Sequence, residues 1–163
     1  IIAIAANQID AYLRLSLVIA KQLNEKTNDV ETRYLFQADD EKGIMERKVF
    51  DDALKLDVID QEAFDDLSAL YNLRNRVIHR YIISNIRTRD LVRIAGRYLN
   101  ALEKTRLTLR SFEQRQADEP FGVYGKKFGK TSVTEDSVRR LHASANDKHL
   151  IEKFKRNVGG GKT

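Results

Sequence analysis

The chain runs for 119 residues before it meets its only proline, Pro120. Proline breaks a helix because it lacks an N–H and its ring collides with the preceding turn. Residues 1–119 are therefore open to long helices. Only eight glycines occur in all 163 residues. Strand-forming residues nowhere fall into the alternating runs that a half-buried strand requires. The pattern instead repeats at helical spacing.

Four helices follow from that spacing. Residues 1–25 place Ile2, Ile9, Leu13, Leu17, Ala20 and Leu23 on one side, and Asp10, Arg14, Lys21 and Glu25 on the other. Residues 27–40 read as a loop or a short turn of helix around Tyr34, Leu35 and Phe36. Met45, Val49, Ala53 and Leu56 stripe a second helix over 44–56. Asp60 is the N-cap expected for a third helix over 61–83, with Phe64, Leu67, Leu70, Tyr71, Val77, Ile78 and Ile82 as its apolar side. The fourth covers 87–115, with Thr88 as its expected cap and Leu91, Ile94, Ala95, Tyr98, Leu102, Leu109 and Phe112 as its stripe. Such helices with short connections predict an all-α, up-and-down four-helix bundle over residues 1–115.

Residues 116–163 read as a separate basic extension. Pro120 opens an irregular loop over 121–130. Ser132 and Glu135 have capping-box spacing, so a further helix is expected there, with Val138, Leu141, Ile151 and Phe154 as its contacts. A glycine-rich, disordered tail is expected at the end. Residues 1–115 hold 19 basic and 18 acidic side chains, and residues 116–163 hold 10 and 6. The extension thus carries most of the net +5 charge, and a basic surface attracts polyanions whatever their sequence.

Composition narrows the chemistry. The content of 42% hydrophobic and 33% charged residues suits a folded, soluble domain. Without cysteine there is no disulfide, thiolate metal site or thiol nucleophile, which fits a reducing, cytoplasmic setting. No apolar run is read as long enough to span a bilayer, so no membrane role is expected. Because the chain starts at Ile1 rather than Met, the true N-terminus is expected to lie upstream.

The segment that can do chemistry is Leu73-Arg74-Asn75-Arg76-Val77-Ile78-His79-Arg80-Tyr81. On a helix Asn75 and His79, four apart, share a face. Arg74 and His79, five apart, point about 140° from one another at about 3.6 residues per turn. They can flank one cleft if a second copy of the helix packs alongside. Histidine, with an ordinary pKa near ~6.5, can take the proton of a ribose 2′-hydroxyl near neutral pH. Arginine offers a fixed fork of donors to phosphate oxygens and stabilises charge that grows on them. Asparagine can orient the imidazole or bind the phosphate. The same residues on an ordinary solvated face would do none of this.

This segment resembles the signature of the HEPN superfamily, in which an arginine, a polar residue and three more positions precede a histidine. The tyrosine two residues later is similar to the variant seen in HepT toxins. The helix over 49–56, its short acidic connector and the motif helix add to a resemblance that covers residues 1–115. It implies a helical bundle that dimerises through the motif helix. It also implies a metal-independent endoribonuclease of toxin or antiviral-defence type that leaves a 2′,3′-cyclic phosphate. Arg74, Asn75 and His79 would be its catalytic residues, with no cofactor and no metal. Arg76 and Arg80 would bind RNA. Tyr81 matches the tyrosine that a nucleotidyltransferase antitoxin modifies with AMP. The alternative is a HEPN-fold regulator without catalysis, resembling mannitol-operon repressors. A third reading is a basic nucleic-acid-binding helical protein.

Three other features complete the reading. Tyr124-Gly125-Lys126-Lys127-Phe128-Gly129-Lys130 interleaves aromatics with Lys126, Lys127 and Lys130, as a loop that stacks on bases and tracks a phosphate backbone would. A linker anchored by its aromatics is the simpler explanation. The terminal Gly159-Gly160-Gly161-Lys162-Thr163 is no phosphate loop, since the required first glycine is Arg156. His142 and His149 lack the carboxylate spacing of a metal site.

Overall fold

The computed structural model describes residues 1–37 and 42–126. The helical extension and tail expected beyond residue 130, with Lys127 and Lys130, lie outside the described residues. The described chain is all-α: α1 (Ile2–Glu25), α2 (Glu46–Lys55), α3 (Gln61–Arg80) and α4 (Thr88–Ala117), with one 3-10 turn at Thr32–Tyr34.

α1 is the spine. Ala5, Ala6, Ile9, Leu13, Ser16, Leu17 and Ala20 are buried along it at helical spacing. They pack most extensively against α4 and also against α2 and α3. This corrects the reading that no segment is long and apolar enough to span a membrane. α1 holds an 18-residue window of mean hydropathy 1.3 that passes by length and composition. In the structure its buried residues form the core with Val49, Phe50, Leu67, Leu70, Ile94, Tyr98, Leu109 and Phe112.

The connections set the topology. α3 and α4 form an antiparallel hairpin, pinned where the Tyr98 hydroxyl donates to the Leu70 carbonyl at 2.7 Å. α2 leads into α3 through a tight connector, with Arg47 donating to Asn72 at 2.8 Å. α1 lies side by side with α4 with like ends together, not antiparallel as the expected up-and-down order requires, since Gln116 at the end of α4 donates to Gln22 at the end of α1 (3.0 Å). That direction is open to α1 because the chain between Glu25 and Glu46 is long. Arg14 ties this connection down. It pairs with Asp10 at 2.7 Å and donates to the carbonyls of Tyr34 (3.2 Å) and Ile44 (2.6 Å).

Caps explain the helix ends. Asp60 accepts from the Ala63 N–H at 2.8 Å, as its sequence position predicts. Thr88 is not the cap of α4. The Asp90 carboxylate accepts from the Arg87 N–H at 2.9 Å instead, and Thr88 meets the Tyr81 hydroxyl at 3.0 Å. α3 stops at Arg80, because Ser84 closes a turn on the Tyr81 carbonyl through both its N–H (3.3 Å) and its hydroxyl (3.1 Å). Ile82, placed by periodicity on the apolar side of α3, therefore sits in the turn and is 96% exposed.

Beyond α4 the chain folds back on the bundle. Gln22 and Gln116 are fully buried. The Val123 N–H donates to Gln22 (3.1 Å), the Tyr124 N–H to Gln116 (2.9 Å) and the Gly122 N–H to Asn28 (2.9 Å). Gly122 has φ +84°, and a Cβ there would collide with the Gln116 side chain. The glycine is thus required for both conformation and space.

Candidate functional site

The motif occupies the last two turns of α3. Its residues point in different directions, as the 3.6 period dictates. Arg74 falls on the inner side, one turn after Leu70. Its guanidinium pairs with Glu46 at the start of α2 at 2.6 Å and lies 4.9 Å over the Tyr71 ring. Arg47 lies 4.8 Å from the same ring. The Arg74 and Glu46 side chains are only 16% and 17% exposed.

Burial dominates the electrostatics here. Desolvation pushes the Glu46 carboxyl above its usual range, against the opposing hydrogen bond and charge of Arg74; Asp10 raises it further and Arg14 lowers it. One Asp10 oxygen is buried without a hydrogen-bond partner. Two carboxylates and two guanidiniums thus meet where α1, α2 and α3 join. Burial likewise pushes the Tyr98 phenol up to about 12.

His79 lies on the opposite side. It is exposed on the last turn of α3, and neither it, Asn75 nor Arg80 has a hydrogen bond or ion pair among the described residues. Asn75 is half-buried between His79 and the inner side. The positive charge of Arg80 suits the negative end of the α3 dipole. Within one chain the fold does not bring Arg74 and His79 together. Arg76 turns toward α4 and donates to Asn85 at 2.8 Å. Tyr81 is half-buried with its hydroxyl on Thr88. Lys126 is at the far end of α4, pairing with Asp118 at 3.5 Å, remote from the motif.

The charge distribution around the motif was missed by counting residues 1–115 as one block. Residues 1–73 hold 8 basic and 15 acidic side chains, whereas residues 74–97 hold seven arginines and one aspartate. A short-window charge count would have shown it. The hairpin gathers these arginines at one end of the bundle. It also leaves Ile78, Ile82, Ile83 and Val92 exposed there at 50%, 96%, 83% and 77%. A groove of about 400 Å³ runs between α3 and α4, lined by Arg76, Arg93, Arg97, Asn85 and Asp90 over Leu73, Ile86 and Ile94.

No family model, no curated protein and no solved structure matches this chain.

Proposed function

We propose that the protein is a metal-independent endoribonuclease with a HEPN-like bundle, acting as a homodimeric toxin or defence effector. The observation that carries the reading is the solvent-facing, unpartnered His79 at the edge of an arginine-rich end of the molecule. A basic surface concentrates RNA, and a free imidazole beside it can move protons. His79 takes the proton of a ribose 2′-hydroxyl. The resulting alkoxide attacks the adjacent phosphorus, and the 5′-oxygen leaves and is protonated. The products are a 2′,3′-cyclic phosphate and a 5′-hydroxyl. Arg74 faces the phosphate oxygens from a cleft completed by a second copy, exchanging Glu46 for phosphate. The exposed Ile78, Ile82 and Ile83 supply apolar area for that pairing. Tyr81, whose hydroxyl contacts only Thr88 among the described residues, is the position at which a nucleotidyltransferase antitoxin would attach AMP.

The Arg74–Glu46 pair favours a second reading. A guanidinium already held by a carboxylate and an aromatic ring suits a structural role, as in a non-catalytic regulator. Cleavage of labelled RNA in EDTA by the full chain, by His79→Ala and by Arg74→Lys separates the two. Cyclic-phosphate ends lost in both variants support the nuclease. Absence of cleavage, or equal cleavage by all three proteins, supports the regulator.

A further inference from the structure

Arginines of both helices line the α3–α4 groove, Arg76 from α3 and Arg93 and Arg97 from α4. On α4, Arg89, Arg93 and Arg97 recur every four residues, so they climb one side in steps of about 6 Å. That step is comparable to the distance between successive phosphates along an RNA strand. On α3, Arg76 and Arg80 repeat the same spacing. Arg76, Arg93 and Arg97 line the groove itself.

Arg76 donates to Asn85 at 2.8 Å, but the α4 arginines gain little inside the protein. The Arg93 side chain is 79% exposed and lies 3.6 Å from Asp90. Arg97 meets Asp66 at 3.4 Å, both well exposed. Exposed pairs of this kind contribute little to stability. Arg89 sits in the first turn of α4, against the positive end of a 30-residue helix dipole, where a cation is unfavourable. Below the cationic rim, Leu73, Ile86 and Ile94 form an apolar floor. Three guanidiniums outweigh the one carboxylate, Asp90, along the groove, and such a rim over an apolar floor fits a strand whose phosphates lie on the rim and whose sugar or base face turns inward. A duplex hides its base faces and cannot use such a floor.

We propose that the α3–α4 groove is a binding site for single-stranded RNA. Arg76, Arg93 and Arg97 hold consecutive phosphates, and a nucleoside unit rests on Leu73, Ile86 and Ile94. The site rests on the ribonuclease reading for its RNA specificity, but it is spatially distinct from Arg74 and binds without cleavage. Arg93 and Arg97 are exposed on a regular helix, so their substitution leaves the core untouched.

The test is fluorescence polarisation with a labelled twelve-nucleotide 2′-O-methyl oligouridylate, which cannot be cleaved, and a blunt RNA duplex of equal length. The full chain is compared with Arg93→Glu, Arg97→Glu and Arg110→Glu, the last an exposed α4 arginine outside the groove. Arg93→Glu and Arg97→Glu each weaken single-strand binding by about tenfold or more, the scale of one lost charge-assisted contact. Arg93→Ala lowers the slope of log affinity against log salt by about 0.7, as loss of one phosphate contact requires. Arg110→Glu has less than half that effect on the logarithm of the affinity. Equal weakening by all three charge reversals overturns the proposal, as does tighter binding of the duplex or no binding at all. Groove-dependent binding without any cleavage of natural RNA leaves a single-strand-binding groove standing and removes the nuclease reading. Cleavage that depends on His79 but not on Arg93 or Arg97, with no oligouridylate binding, does the reverse.

Discussion

Replacing Arg74 with glutamine strands the Glu46 carboxylate in a position 17% exposed, beside a buried, unsatisfied Asp10 oxygen. Breaking a fully buried ion pair from one side costs about 3–5 kcal/mol. With both side chains retaining some solvent, a cost of about 2–3 kcal/mol is expected. The converse change, Glu46→Gln, is far milder, at about 1 kcal/mol or less. Burial already pushes the Glu46 carboxyl up despite Arg74, so folding favours the neutral form more than the unfolded chain does. The substituted amide would keep an acceptor for Arg74, which still rests on Tyr71. The sign with pH follows. A carboxyl raised in the folded state contributes stability that is present below its unfolded pKa and lost as pH rises through its folded value. Without Arg74 that value rises further, so Arg74→Gln is more damaging at neutral pH and recovers as pH falls toward the ordinary carboxyl range. Urea unfolding followed by circular dichroism at pH 7 and pH 5 reads this directly. The pH 7 loss corresponds to a fall in Tm of about 6–9 °C for a body of this size. The double variant should be no less stable than Arg74→Gln alone. Equal costs for the two single changes, or an Arg74→Gln cost independent of pH, would refute the reasoning.

Two further outcomes are expected. Gly122→Ala forces both a left-handed φ and the displacement of Gln116; it should cost about 2 kcal/mol or more and speed amide exchange at Val123 and Tyr124, whose N–H groups the two glutamines hold. Tyr98→Phe removes the hydrogen bond to Leu70 and should cost about 1 kcal/mol at neutral pH. Because the Tyr98 phenol is raised to about 12, its contribution is intact below the ordinary phenol pKa and fades between about pH 10 and 12. Alkaline titration of unfolding should therefore be flatter over that window in the variant, and an unchanged slope would show that Tyr98 does not titrate with unfolding.

The sequence by itself determined the helices, because a 3.6-residue apolar period needs no knowledge of partners. Ile9, Leu13 and Leu17, or Leu67 and Leu70, declare their buried side wherever the helix ends up. Asp60 declared its cap for the same local reason. The motif was also legible, since Arg74, Asn75 and His79 are close along the chain. Tertiary structure decided where those residues face. Periodicity alone could not reveal that Glu46, 28 positions earlier, would claim Arg74, nor that a turn closed by Ser84 would put Ile82 into solvent. Gln22 and Gln116 read as ordinary polar residues until two helix ends meet and bury them around the 122–124 backbone. The arginine groove shows the division most plainly. Its charges are written in one short stretch, but a site exists only because an antiparallel hairpin brings Arg76 to Arg93 and Arg97 over one apolar floor. Contacts between residues far apart in the chain depend on how helices cross, and no local period encodes that.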